Sequence, residues 1–118
     1  MKEQLKKRTK QFAKSVFKLT IKLDPVFIDY RHQLIRCSSS VGANYRAACR
    51  AKSTKDFINK LKIVEEELDE SLFFIELITE LSENPNPTWN MIHNEGDELL
   101  AIFVKSIITA RKNQNRNS

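Results

Sequence analysis

Apolar residues recur every three or four positions along almost the whole chain, and only two glycines and three prolines interrupt them. That spacing is the period of an α-helix, since residues three and four apart share one face. A chain so poor in turn formers cannot supply the many tight reversals of a sheet. The expected class is all-α: four helices joined by short connections, an antiparallel up-down four-helix bundle. With 118 residues the chain has the length of one domain. It buries enough surface to hold a core without metal or disulfide support.

The first helix is expected over residues 3–23, with Leu5, Thr9, Phe12, Val16, Leu19 and Leu23 in its apolar row. Lys6, Lys10, Lys14 and Lys18 wind slowly beside that row, each four-residue step turning about 40°. Asp24-Pro25 ends the helix, because the residue before a proline is pushed out of the α region. The second helix is expected over 26–51 and buries Phe27, Tyr30, Leu34, Ser38, Val41, Tyr45 and Ala48. Small residues also gather on this helix. Ser40, Gly42, Ala43 and Ala47 would let a backbone approach closely, so they are expected to meet another helix or another subunit.

Ser53 and Asp56 form a helix start of the capping-box kind. The third helix then runs to Leu81, with Phe57, Leu61, Val64, Leu68, Leu72, Ile75 and Ile78 inward. A second row holds Ile63, Glu67, Glu70, Phe74, Leu77 and Leu81. Two carboxylates inside an apolar row need partners, and Arg46 and Arg50 are the expected ones. After the loop at 84–88, with Thr88 as N-cap, the fourth helix is expected to end near Arg111. Trp89, Ile92, Gly96, Leu99, Phe103, Ile107 and Ala110 form its row, widened by Leu100, Val104 and Ile108. The bundle thus spans 1–112, and the polar residues 113–118 are expected to be a disordered tail.

Few chemistries survive inspection. Cys37 and Cys49 lie 12 residues apart on one helix, about 18 Å of rise and beyond disulfide reach. They read as core or interface thiols of a reducing compartment. His32 and His93 have no second His or Cys at helical spacing and no Cys-x-x-Cys occurs, so neither metal nor cofactor is expected. No phosphate loop, dinucleotide fingerprint or serine elbow occurs. Some small four-helix ribonucleases place an Arg four to six residues before a His. Positions 87–89 read Pro-Thr-Trp and positions 26–28 read Val-Phe-Ile, so that pattern is missing. Glu67 and Glu70 fit a structural ion-pair network with Arg46 better than an acid–base pair. The chain is not expected to be an enzyme. No apolar run is long enough to span a membrane, and the basic N-terminus has no apolar signal core, so a cytoplasmic location is expected.

Charge is the remaining signal. The net is +5, yet residues 1–62 hold 16 Lys and Arg against 4 Asp and Glu, a net of +12. Residues 63–118 hold 4 against 11, a net of −7. Two helical pairs of opposite sign could simply attract one another inside the bundle, or a basic face could serve a polyanion. Lys10, Lys14, Lys18, Arg36 and Arg50 are the expected phosphate contacts. No base-reading motif is present, so binding of RNA or DNA would be weakly sequence-specific.

The segment CSSSVGANYRAACRAKSTKDF, the following KLKIVEEELDESLFFIELI and the late ELLAIFVKSIITARK resemble the 23S rRNA-intervening-sequence protein family. These are bacterial four helix bundle proteins, some once labelled ribosomal. The resemblance covers residues 5–112. One departure is Phe73-Phe74 where the family usually carries a Trp. The resemblance implies a ring-like homopentamer, which for this chain would carry a charge of about +25, a strong attractor of polyanions. The family is also similar to the accessory protein of diversity-generating retroelements, a basic pentamer that binds nucleic acid and a reverse transcriptase. The expected function is therefore a non-enzymatic, oligomeric nucleic-acid-binding accessory protein. The rival is a scaffold whose basic face docks an acidic protein.

Overall fold

In the computed structural model, which describes residues 1–116, the chain folds into four long helices and no strand among the described residues. They are α1 (Lys2–Thr20), α2 (Ile28–Cys49), α3 (Thr54–Leu81) and α4 (Thr88–Arg116). A single 3-10 turn, Pro25–Phe27, leads into α2. One end of the bundle gathers Leu5, Tyr45, Ala48, Phe57 and Ser106, and the other gathers Leu19, Phe27, Leu81 and Trp89. Successive helices therefore run in opposite directions. α2 packs most extensively on α3, and α1 and α4 close the bundle with a lighter contact.

Local chemistry sets each helix boundary. Asp24 accepts a hydrogen bond from the Val26 amide at 2.9 Å, and Pro25 opens the 3-10 turn. α1 accordingly stops at Thr20, and Lys22 and Leu23 donate to the Leu19 and Thr20 carbonyls in tighter turns. Ser53 accepts from the Asp56 amide at 3.0 Å. Asp56 reaches back to the Lys52 amide, one residue before the one a reciprocal capping box would use. At α4 the expected cap is corrected. Asn86 accepts from the Thr88 amide at 2.9 Å, so Thr88 is already inside the helix.

The core follows the apolar rows closely. Every residue of the expected α4 row is buried. Two corrections concern register. Ile58 rather than Phe57 is buried at the start of α3, with Phe57 packed at the margin. Val104 and Ile108 do not widen the α4 row but face outward. A third correction concerns the tail. α4 continues to Arg116, so residues 113–116 are helical, and residues 117–118 of the expected tail lie outside the described residues.

Two close approaches pin the helices. A Cβ on Gly42 would lie 3.2 Å from Thr9 Oγ1, so Gly42 faces α1. Thr9 is fully buried and donates its hydroxyl to the Leu5 carbonyl at 2.9 Å, so it adds no unpaired group. A Cβ on Gly96 would lie 2.6 Å from Leu72 Cδ2 and 3.1 Å from Phe12 Cε1. At that point α4 touches both α1 and α3. Phe103 is fully buried with its ring 5.3 Å from Tyr45. Phe103→Ala should cost about 3–5 kcal/mol, the range for emptying an aromatic core site, measured by chemical denaturation.

Candidate nucleic-acid interface

The arginines and lysines of the basic half separate into two populations. Two arginines turn inward to carboxylates on the acidic helices. Arg36 on α2 holds Glu67 at 3.1 Å and Glu70 at 2.6 Å across the α2–α3 seam. Arg8 on α1 holds Glu95 at 2.7 Å and Glu98 at 3.3 Å on α4. The hydrogen bond to Glu70 raises the Arg36 pKa above its ordinary value, and the bond to Glu95 does the same for Arg8. A guanidinium suits this role because its planar fork meets two oxygens at once.

These contacts correct two assignments. Glu67 and Glu70 are paired, but with Arg36 and not with Arg46 or Arg50. Arg36 is then a structural clamp and is removed from the set of free phosphate contacts. The Arg8 clamp has no local sequence signature. The only hint was the opposite charge of the two halves. His93 adds a third polar link, 2.8 Å from Glu76 on α3 and 3.4 Å from Asp97 on its own helix.

The lysines of α1 stay outside. Lys7, Lys10, Lys14 and Lys18 are exposed and form no ion pair among the described residues. Lys6, Lys7 and Lys10 line a groove of about 280 Å³ between α1 and α2, with Arg46 on its far wall and Glu3 at its edge. Toward the other end of the same seam lies a more apolar groove of about 350 Å³. Lys14 and Lys18 border it, and Phe17 and Ile35 form its walls. Arg46 thus joins the basic face that sequence reasoning had separated it from. Arg50 is exposed at the C-terminal cap of α2 and lines neither groove.

On the outer side of α2, Ala43 is exposed and Ser40 and Ala47 are half-buried. Gly42 lies apart from them, against α1. Among the described residues no three His, Cys, Asp or Glu side chains gather as a metal site, and no helix is long and apolar enough to cross a membrane.

With this geometry in place, comparison with known proteins decides the family. The model of the 23S rRNA-intervening sequence protein family matches residues 1–105. The chain belongs to that family. A crystal structure of an S23 ribosomal protein family member of unknown function from Bacteroides thetaiotaomicron is similar, with 29% identity and a TM-score of 0.81. The similarity covers 91% of this chain and 98% of that one. No curated protein matches. This family member therefore shares the bundle, while neither description states an activity.

The thiols differ sharply in setting. Burial pushes the Cys37 thiol up, and the Ser71 hydroxyl 3.2 Å away offsets only part of that. A protonated, enclosed thiol reacts slowly. Cys49 is half-buried and borders a surface groove. Labelling of the native protein with a thiol reagent should therefore modify Cys49, and Cys37 only after unfolding. Equal rates at both would show that the α2–α3 seam opens readily.

The clamp is testable too. Arg36→Ala should lose about 1 kcal/mol, the modest figure reflecting its half-exposed guanidinium. Arg46→Ala should change stability by less than about 0.5 kcal/mol, both variants being measured by chemical denaturation.

Proposed function

We propose that this protein is a non-enzymatic, oligomeric accessory protein that binds nucleic acid through the α1–α2 basic face, with little sequence preference. The observation that carries the reading is the separation of cations. The arginines that steady the bundle are occupied, while Lys7, Lys10 and Arg46 line one groove with no ion pair among the described residues, beside Lys6, which Glu3 holds at 3.2 Å. Lys14 and Lys18 continue the line along α1. Exposed ammonium groups on one helical row can follow a phosphate backbone and release its counterions without reading bases. The family's association with ribosomal RNA intervening sequences, carried in its name, supports RNA as the first ligand to try.

Assembly fits the same role. Several copies would multiply one +5 surface, and a ring of five is the number the family resemblance suggests. A cytoplasmic location accords with the free thiols. A protein partner such as a reverse transcriptase is the second reading. The observation favouring it is the same exposed cationic row, which would equally meet an acidic protein surface.

The test is fluorescence anisotropy with labelled structured RNA and duplex DNA, at salt between about 50 and 200 mM. Parent protein should bind with a steep salt dependence. Lys7→Glu with Lys10→Glu should weaken binding at least tenfold, and Arg36→Ala should not. Tight binding that ignores the lysine reversals would reject the assigned face. No binding at the lowest salt would favour the protein-partner reading.

A further inference from the structure

α1 and α3 do not touch each other appreciably in the bundle, so their outer faces point away from one another. Each outer face mixes charge with large apolar side chains, and the signs are opposite. On α1, Phe17 is 50% exposed and sits between Lys14 and Lys18, with Ile21 one turn on. On α3, Phe73 is 55% exposed and sits between Asp69 and Glu80, with Leu77 beside it. Asp69 and Glu80 form no ion pair among the described residues, in contrast to Glu67, Glu70 and Glu76. Lys14 and Lys18 flank Phe17 within one helical turn, and Asp69 and Glu80 lie one turn before and two turns after Phe73.

The two faces also match in shape. Beside Phe17 lies the groove of about 350 Å³, walled by Ala13, Ile35 and Ser39 and open to solvent. Phe73 is a projecting ring, edge-on to Phe74 at 5.6 Å. One face therefore offers an apolar slot flanked by cations, and the other an apolar knob flanked by anions.

We infer that the Asp69–Phe73–Glu80 face of α3 docks into the Lys14–Phe17–Lys18 groove of a second copy of this chain. The occupant is a second copy because the charge and the knob that the groove requires are both present on this chain's own opposite side. Such a contact is head-to-tail. It uses two different patches, so each copy keeps one patch of each kind for the next, and the series closes into a ring or extends as a filament. The inference rests on the oligomeric part of the reading above and deepens it. It also divides the basic face. Lys14 and Lys18 are shared with the neighbour's carboxylates, while the Lys6–Lys7–Lys10–Arg46 groove remains open to phosphate.

The test is sedimentation velocity on RNA-free protein, with Phe17→Glu and Phe73→Glu variants. Both rings are half-exposed, so the variants should fold, and circular dichroism melts check this. The parent should assemble, and each variant should weaken assembly at least tenfold. An equimolar mixture of the two variants should form a one-to-one pair that grows no further, because it contains one intact knob and one intact slot. Asp69→Lys with Glu80→Lys supplies a second check. It should disrupt assembly, and adding Lys14→Glu with Lys18→Glu in the same chain should restore it.

A monomeric parent at about 100 μM, unchanged assembly in Phe73→Glu, or variants that fail to pair would each overturn the inference. RNA binding by the Phe73→Glu variant, measured in parallel, keeps the two readings distinct. Lost RNA binding with normal assembly in the parent rejects only the nucleic-acid face. Retained RNA binding without assembly rejects only the docking surface.

Discussion

Burial of the α2–α3 seam is the interaction on which the rest of the structure depends. Leu34, Val41, Leu61, Val64, Leu68 and Ile75 are all buried in the shared core. Each such side chain contributes on the order of 1.5–3 kcal/mol when taken from water. The seam is long because both helices exceed twenty residues, and it is the most extensive helix contact in the molecule. α1 and α4 then pack onto it. Their own mutual contact is lighter, and the Arg8 clamp on Glu95 and Glu98 supplies direction there. Polar links at the seams contribute less energy than the apolar core. They disfavour other rotations of each helix, since rotating α2 would strand Glu67 and Glu70 half-buried without a cation.

This division of labour separates arginine from lysine. Arg8 and Arg36 each bridge two carboxylates on a neighbouring helix. The lysines of α1 need no partner to remain solvated, so they can stay exposed at little cost and keep their charge available. The large charge difference between the halves of the chain is thus only partly consumed in folding. What is left over is arranged spatially, with a cationic row on α1 and unpaired carboxylates on the outside of α3.

Much of the architecture was legible in the sequence. The α4 row from Trp89 to Ala110 needed only its period, since a helix with one apolar stripe has one way to face a core. Boundaries read less well. Thr88 and Asn86 are both good capping residues, and the choice between them depends on how the chain leaves Pro87. Phe57 and Ile58 were similarly ambiguous, because the first turn of α3 lies at the bundle end, where either side chain could cover the core. For the candidate site, the lysine row on α1 was visible from four-residue spacing alone, whereas its companion Arg46 was misassigned to Glu67 and Glu70.

The sequence alone determined that this chain forms four amphipathic helices, which face of each carries the core row, and that the surplus positive charge lies in the first half. Periodicity and charge are properties of each helix by itself. Which neighbour flanks each side of a helix is not. Arg36 and Arg46 sit ten residues apart, about 80° around α2, on opposite margins of the same outer face. In a bundle winding one way, the Arg36 margin meets α3 and the Arg46 margin meets α1. In the other winding the two would exchange roles. Only the tertiary packing of α1, α2 and α3 selected between them, and in doing so it made one arginine a clamp and left the other on the open basic face.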